Sequence, residues 1–164
     1  MEKNNYIMNK KNEYGILRLF KNTSKDSKYN KKYYNVNGYN FMTNSYMILQ
    51  LDQEINLKNI LQEGNELNSF MEGYDFRKKD FSNMIEVDFN NAKIREIDRT
   101  SRSKMKVLSF NEYENSYSFN SNFINIVKAV LKKPTFYKDK DNEQVLYAKD
   151  IYNNYALILA MRTY

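Results

Sequence analysis

The pattern of apolar and polar positions is clearest in the last third of the chain. Phe123, Ile126, Val127, Val130 and Leu131 recur at helical spacing. Asn120 and Ser121 can cap that run, Lys132 and Lys133 suit its C-terminal end, and Pro134 stops it, so a helix is predicted. Three strands should follow at residues 135–138, 145–149 and 155–161, separated by polar turns at Asp141-Asn142 and Asn153-Asn154.

Upstream, residues 9–21 predict a first helix, with Ile16, Leu17 and Phe20 on one side and Lys10, Lys11, Arg18 and Lys21 elsewhere. Gly15 weakens it by about 1 kcal/mol relative to Ala. Residues 22–32 are polar and charged, the composition of a surface loop. Residues 33–36 and 39–51 read as two strands joined at Asn37-Gly38, a strong hairpin signal. Leu57, Ile60 and Leu61, then Leu67, Phe70 and Met71, predict one helix interrupted near Gly64, or two short ones. Residues 72–83, mixing Gly, Asp, Lys and aromatics, are expected to form a connection. Strands are expected at 84–89, 92–97 and 104–110, with a charged turn at 98–103. The order helix, strands, short helix, strands, helix, three strands is that of an α+β fold.

Composition narrows the chemistry. A chain of 164 residues suits one domain with a proper core. Scarce Gly (4) and Pro (1), with 15% aromatic and 41% hydrophobic residues, place it among folded proteins despite its polar average. No Cys excludes disulfides and thiolate-held zinc, and no His removes the commonest general base, the Ser-His-Asp triad and imidazole-bound metals. Four glycines leave no phosphate-loop or dinucleotide fingerprint, so no cofactor is expected. The N-terminus lacks a long apolar core and no run approaches 18 apolar residues, so a cytoplasmic protein without a membrane partner is expected. A net charge of +6 favours an anionic partner, although an AT-rich coding sequence also enriches Lys, Asn, Tyr and Ile together.

The segment Phe119-Asn-Ser-Asn-Phe-Ile-Asn-Ile-Val-Lys-Ala-Val-Leu-Lys132, followed by strands ending Tyr155-Ala-Leu-Ile-Leu-Ala-Met-Arg162, resembles the end of a bacterial DNA sliding clamp, the β subunit of the replicative polymerase. That family closes on a similar helix and three strands with a terminal Met-Pro-Met-Arg, where Ala160 here replaces the proline. Tyr39-Asn-Phe-Met-Thr43-Asn-Ser-Tyr-Met-Ile48 sits where the clamp has an Ala-Thr-Asp-Gly-His-Arg-Leu turn, matching at Thr43, and Asp80-Phe81-Ser-Asn-Met-Ile-Glu86 resembles a Phe-Pro-Asp-Tyr linker. The resemblance implies a single clamp-like domain over 1–164, in halves 1–90 and 91–164, with helices on one face of an antiparallel sheet. Only an oligomer of such a domain could encircle DNA.

Two kinds of site follow. Residues 21–39 interleave Lys21, Lys25, Lys28, Lys31 and Lys32 with Tyr29, Tyr33, Tyr34 and Tyr39, cations for phosphates and rings for bases. The ordinary alternative is a solvated loop leading into a strand whose tyrosines pack on the sheet. The resemblance further implies that Lys128, Lys132 and Arg18, with Lys133 beside them, face duplex DNA through backbone electrostatics. It also implies a hydrophobic groove for short peptides of replication proteins, lined by Thr43, Tyr46, Ile48, Leu159, Met161 and Arg162. Asn44, Ser45, Tyr46 and Met47 stand where the clamp has Asp-Gly-His-Arg, which alters the expected peptide specificity.

Glu86 with Asp88, and Glu96 with Asp98, have the spacing that puts each pair on one face of a strand; neighbouring strands would make a Mg²⁺ site for phosphodiester hydrolysis. The sequence thus favours a non-enzymatic phage or mobile-element protein that binds DNA, replication proteins or both. The alternative is a counter-defence inhibitor of the anti-CRISPR type, blocking the nucleic-acid channel of a host nuclease complex.

Overall fold

The computed structural model describes residues 6–64, 75–100, 102–114 and 117–161. Helix α1 (Lys10–Leu19) opens on a reciprocal cap, the Asn9 side chain accepting from the Asn12 amide and the Asn12 side chain from the Asn9 amide, both at 2.9 Å. Strands β1 (Lys32–Val36), β2 (Tyr39–Thr43) and β3 (Met47–Asp52) follow as a meander. Asn37 and Gly38 both have positive φ, as the predicted two-residue hairpin requires. The expected single strand 39–51 is in fact two, broken at Asn44, Ser45 and Tyr46. Ser45 has φ of 77°, and the Asn44 Oδ1 accepts from the Tyr46 and Met47 amides, so side-chain hydrogen bonds turn the backbone there.

The middle departs most from expectation. Leu57, Ile60 and Leu61 make a turn, with the Ile60 and Leu61 amides donating to Leu57 O, and then the two-residue strand β4 (Gln62–Glu63). Ile55, Leu57 and Leu61 are buried as a cluster rather than along a helix. Leu67, Phe70 and Met71 lie outside the described residues. From residue 75 the connection makes short turns at Phe76–Lys78 and Phe81–Asn83, capped by Asp75 and Asp80. The expected strand 84–89 shrinks to β5 (Ile85–Glu86), because Asp88 caps another turn at Phe89–Asn91. Strands β6 (Lys93–Thr100) and β7 (Ser103–Ser109) form a hairpin, joined by β8 (Ser118–Asn120).

Helix α2 (Ser121–Val130), capped by Asn120, leads into β9 (Thr135–Asp139), β10 (Asn142–Lys149) and β11 (Tyr155–Leu159). Among the described residues the larger sheet runs β4-β1-β2-β3-β11-β10-β9-β5, antiparallel except at β1/β4. Its central six strands read as a palindrome: each module is a helix and a three-strand meander, and the last strands, β3 and β11, pair antiparallel. The sheet is continuous across both halves, so the chain is one α+β domain, with α1 and α2 packed together on one face.

That helix pair explains Gly15. A Cβ there would lie 2.9 Å from Ala129 Cβ and from Val130 Cγ2, so the helices approach too closely for any side chain. Asn12 Nδ2 donates to Ala129 O at 2.7 Å across the same contact. Beneath the helices lie Met42, Met47, Leu49, Leu51, Leu146, Ala148, Ala156 and Ile158. Alternation along the strands sends Val36, Phe41, Ile48, Val145, Tyr147, Tyr155 and Leu157 to the opposite face, which the 75–84 segment covers with Phe76, Phe81 and Met84.

Candidate functional site

The broken strand creates a small surface depression beside the end of β11. Thr43 Oγ1 donates to Met47 O at 2.8 Å and accepts from the Ser45 amide at 3.0 Å, locking the β2–β3 turn. The turn lifts Tyr46 to 63% exposure and stacks its ring on Phe123 of α2, with centroids 6.4 Å apart. Tyr46 O accepts from the Leu159 amide at 2.9 Å, tying the turn to the end of β11. Thr43, Ser45, Tyr46, Met47, Ile48, Leu157 and Leu159 line one apolar depression of about 20 Å³, room for roughly one water.

Four expected groove residues, Thr43, Tyr46, Ile48 and Leu159, are therefore brought together. They are not equally available: Thr43 and Ile48 are buried, whereas Tyr46 and Leu159 (39% exposed) form the surface a partner would meet. Met161 is half-buried beyond the depression, its amide donating to Ser118 O at 2.8 Å. Arg162 lies outside the described residues. The sequence reading missed Leu157, whose inward alternation with Ala156 was the available signal, and Phe123, assigned only to the helix core.

The basic residues divide by use. Lys21, Lys25, Lys28 and Lys31 are exposed, and Lys28 Nζ lies 5.2 Å from the centre of the Tyr29 ring. Tyr33 and Tyr34 are buried, Tyr33 on the helix side and Tyr34 on the opposite face with its hydroxyl donating to Lys28 O. Neither ring presents a face for a base in this arrangement, because alternation along β1 spends one in each core. Lys32 is half-buried at the start of β1. On the helices, Arg18 lies over the Tyr14 ring at 5.9 Å and exposed Lys128 over Phe89 at 4.2 Å. Lys132 Nζ donates to Asn12 Oδ1 at 3.0 Å and sits over Tyr6, a role in joining the two modules. Lys133 is exposed with φ of 49°.

The carboxylates do not converge. Glu86 lies on β5 beside β9, whereas Glu96 and Asp98 lie on β6 beside β7, in the other sheet. Asp88 Oδ1 accepts from the Asn90 amide, and Asp88 Oδ2 from Asn91 Nδ2. Among the described residues no group of three or more His, Cys, Asp or Glu side chains could hold a metal ion, and no helix is long and apolar enough to cross a membrane.

The perturbed ionisable groups serve the fold. The Arg77 guanidinium bonded to Asp75 at 2.6 Å holds that carboxyl below its usual range, while Asp75 in turn accepts from Gln50 Nε2. Burial pushes Tyr155 up to about 12 and raises Tyr6 and Tyr113 further. Lys138, almost fully buried, donates to Glu112 O at 2.8 Å and pairs with Glu143 at 3.0 Å. In comparisons with models of protein families, with curated proteins and with solved structures, the chain matches none.

Proposed function

We propose that this chain is a non-enzymatic phage or mobile-element protein whose sliding-clamp-like domain binds replication proteins, DNA or both. The observation that carries the reading is the convergence of Thr43, Tyr46, Ile48 and Leu159 on one apolar depression where the two modules meet, since those positions come from two segments more than 110 residues apart that the clamp resemblance paired in advance. The paired helices on one sheet face, with Arg18 and Lys128 on their accessible side, support a DNA-facing role for that face. An extended peptide with apolar anchors is the partner such a surface suits, Tyr46 and Leu159 being the groups it would cover.

The test is a tagged pull-down from nuclease-treated host lysate, with the bound proteins identified by mass spectrometry. The wild type should recover polymerase or other replication subunits, and Tyr46→Ala with Leu159→Ala should lose them. Because Tyr46 also stacks on Phe123, circular dichroism of the variant should match the wild type for the loss to be assigned to the groove. Recovery of the same proteins by both forms would overturn the groove, and recovery of a defence nuclease complex instead would make the protein an inhibitor.

A further inference from the structure

The β6–β7 hairpin stands apart from the rest of the domain. Among the described residues β6 pairs only with β7, and no other strand or helix packs on it to a comparable extent. Lys93, Ile94, Arg95, Glu96, Asp98 and Thr100 are exposed on β6, as are Ser103, Lys104 and Lys106 on β7. Val107 and Leu108 anchor the base of β7 in the domain, but beyond them the ribbon buries little, so packing does not dictate its composition.

The composition is nonetheless pronounced. Residues 93–109 hold six cations and two carboxylates, a net +4 within a chain whose total is +6. Three of the chain's six arginines, Arg95, Arg99 and Arg102, fall within eight residues, against twenty lysines overall. The coding bias that enriches lysine does not produce an arginine cluster. Arg also differs from Lys in presenting a planar, weakly hydrated fork that engages phosphate and base edges bidentately.

Register sorts the charges. Glu96 stands across from Lys106 and Asp98 across from Lys104, so one face is balanced within itself. The other face carries Lys93 across from Ser109, Arg95 across from Val107 and Ile97 across from Met105, without a carboxylate, and Arg102 follows at the exposed turn. Arg95 is anchored at the base of the ribbon by Nη2 donating to Ser118 Oγ at 3.4 Å. Alternate residues on a strand are about 6.6 Å apart, so Lys93 and Arg95 form the start of a regularly spaced cationic row.

We propose that the β6–β7 ribbon is a nucleic-acid-binding arm that enters the major groove of duplex DNA, with Lys93, Arg95 and Arg102 contacting phosphates and base edges. A B-form major groove about 12 Å wide admits a two-stranded ribbon, whereas the deep, narrow groove of A-form RNA does not. The proposal rests on the DNA-binding half of the reading above but places the contact on a different element from the helix face.

Fluorescence anisotropy with a labelled DNA duplex of roughly 20 bp, about two helical turns, titrated across sodium chloride concentrations tests it. The wild type should bind with steep salt dependence. Replacing Lys93, Arg95 and Arg102 by Gln should flatten the log–log slope by about 2 to 3, since each phosphate contact contributes about 0.9. Between 50 and 200 mM salt that is a difference on the order of tens of fold in how far binding weakens. Because Arg95 also bonds Ser118, Lys93→Gln with Arg102→Gln alone should still flatten the slope by about 2. Loss of binding in Arg18→Gln with Lys128→Gln, while the ribbon variants bind as wild type, would overturn the arm and leave DNA binding on the helix face. Absence of duplex binding by the wild type would overturn both. Equal affinity for an RNA duplex would overturn groove entry, and competition by polyglutamate as effective as by DNA would assign the ribbon to an acidic protein surface instead.

Discussion

The large sheet and the β6–β7 ribbon are both built from alternating side chains, yet the sheet is buried on two faces while the ribbon, beyond Val107 and Leu108 at its base, is largely exposed on both. In the sheet, Met42, Leu49 and Ala156 meet the helices while Phe41, Tyr155 and Leu157 meet the 75–84 segment. In the ribbon the same alternation separates balanced charge from cationic charge. One set of positions is selected by packing, and the other is free to carry recognition.

The contrast breaks most visibly at the core. Phe41→Ala or Phe76→Ala, each side chain 1% exposed, should cost about 3–5 kcal/mol in urea unfolding. Ile94→Ala on the ribbon, 66% exposed, should stay within about 0.5 kcal/mol. A comparable loss at Ile94 would mean the ribbon is packed against something.

Next in size is Asp150, which gathers the module ends. Its carboxylate accepts from the Lys132, Tyr152 and Asn154 amides and from Asn154 Nδ2, while Asn154 Oδ1 accepts from the Asp52 amide. Asp150→Ala strands those donors in a buried site and should cost about 2–4 kcal/mol in the same assay. Gly15→Ala sharpens the comparison at the helix pair. In an exposed helix it would gain about 1 kcal/mol from helix propensity, but the 2.9 Å approach to Ala129 and Val130 should produce a net loss of about 1–3 kcal/mol.

Among the described residues, the acid and alkaline limits belong to the packed body of the domain rather than to the ribbon. Tyr6, Tyr113 and Tyr155 have phenol pKa values raised by burial, so their full contribution to stability is present below about pH 10 and is lost as pH rises toward about 12, where Tyr155 would ionise. Circular dichroism should show cooperative base unfolding in that window, with the last step of the tyrosinate absorbance coincident with it. Completion of the tyrosinate absorbance before unfolding would contradict the burial. Asp75, held low by Arg77, contributes the opposite slope: its share is present above about pH 4 and lost as pH falls through the lower folded value. Asp75→Asn should reduce that acid dependence.

The modules were legible where local rules agreed with packing. Asn9, Asn120 and Pro134 bound the two helices, and Asn37-Gly38 gave the first hairpin. The turn at Ser45 was hidden because Met47, Ile48, Leu49 and Leu51 continue the apolar run past it, and only the Asn44 side chain marks the break. The false helix at 57–61 arose because Leu57 and Leu61 have helical spacing but are buried by tertiary contact around a tight turn. The groove positions came from resemblance, not periodicity. Their differing exposure depends on how β11 meets β3, which the sequence pattern does not encode.

The open edge of β6 has one more consequence. A free strand eight residues long offers a row of backbone donors and acceptors to any other strand, including that of an identical molecule. Two copies pairing antiparallel about a two-fold axis must oppose residues that point the same way. Centring that axis on Arg95, Glu96 or Asp98 sets each residue against its own twin, and centring it on Ile97 sets Glu96 against Asp98. Every symmetric register across the middle of the strand therefore brings a like-charge repulsion, which disfavours this edge as a seam between two copies of the chain.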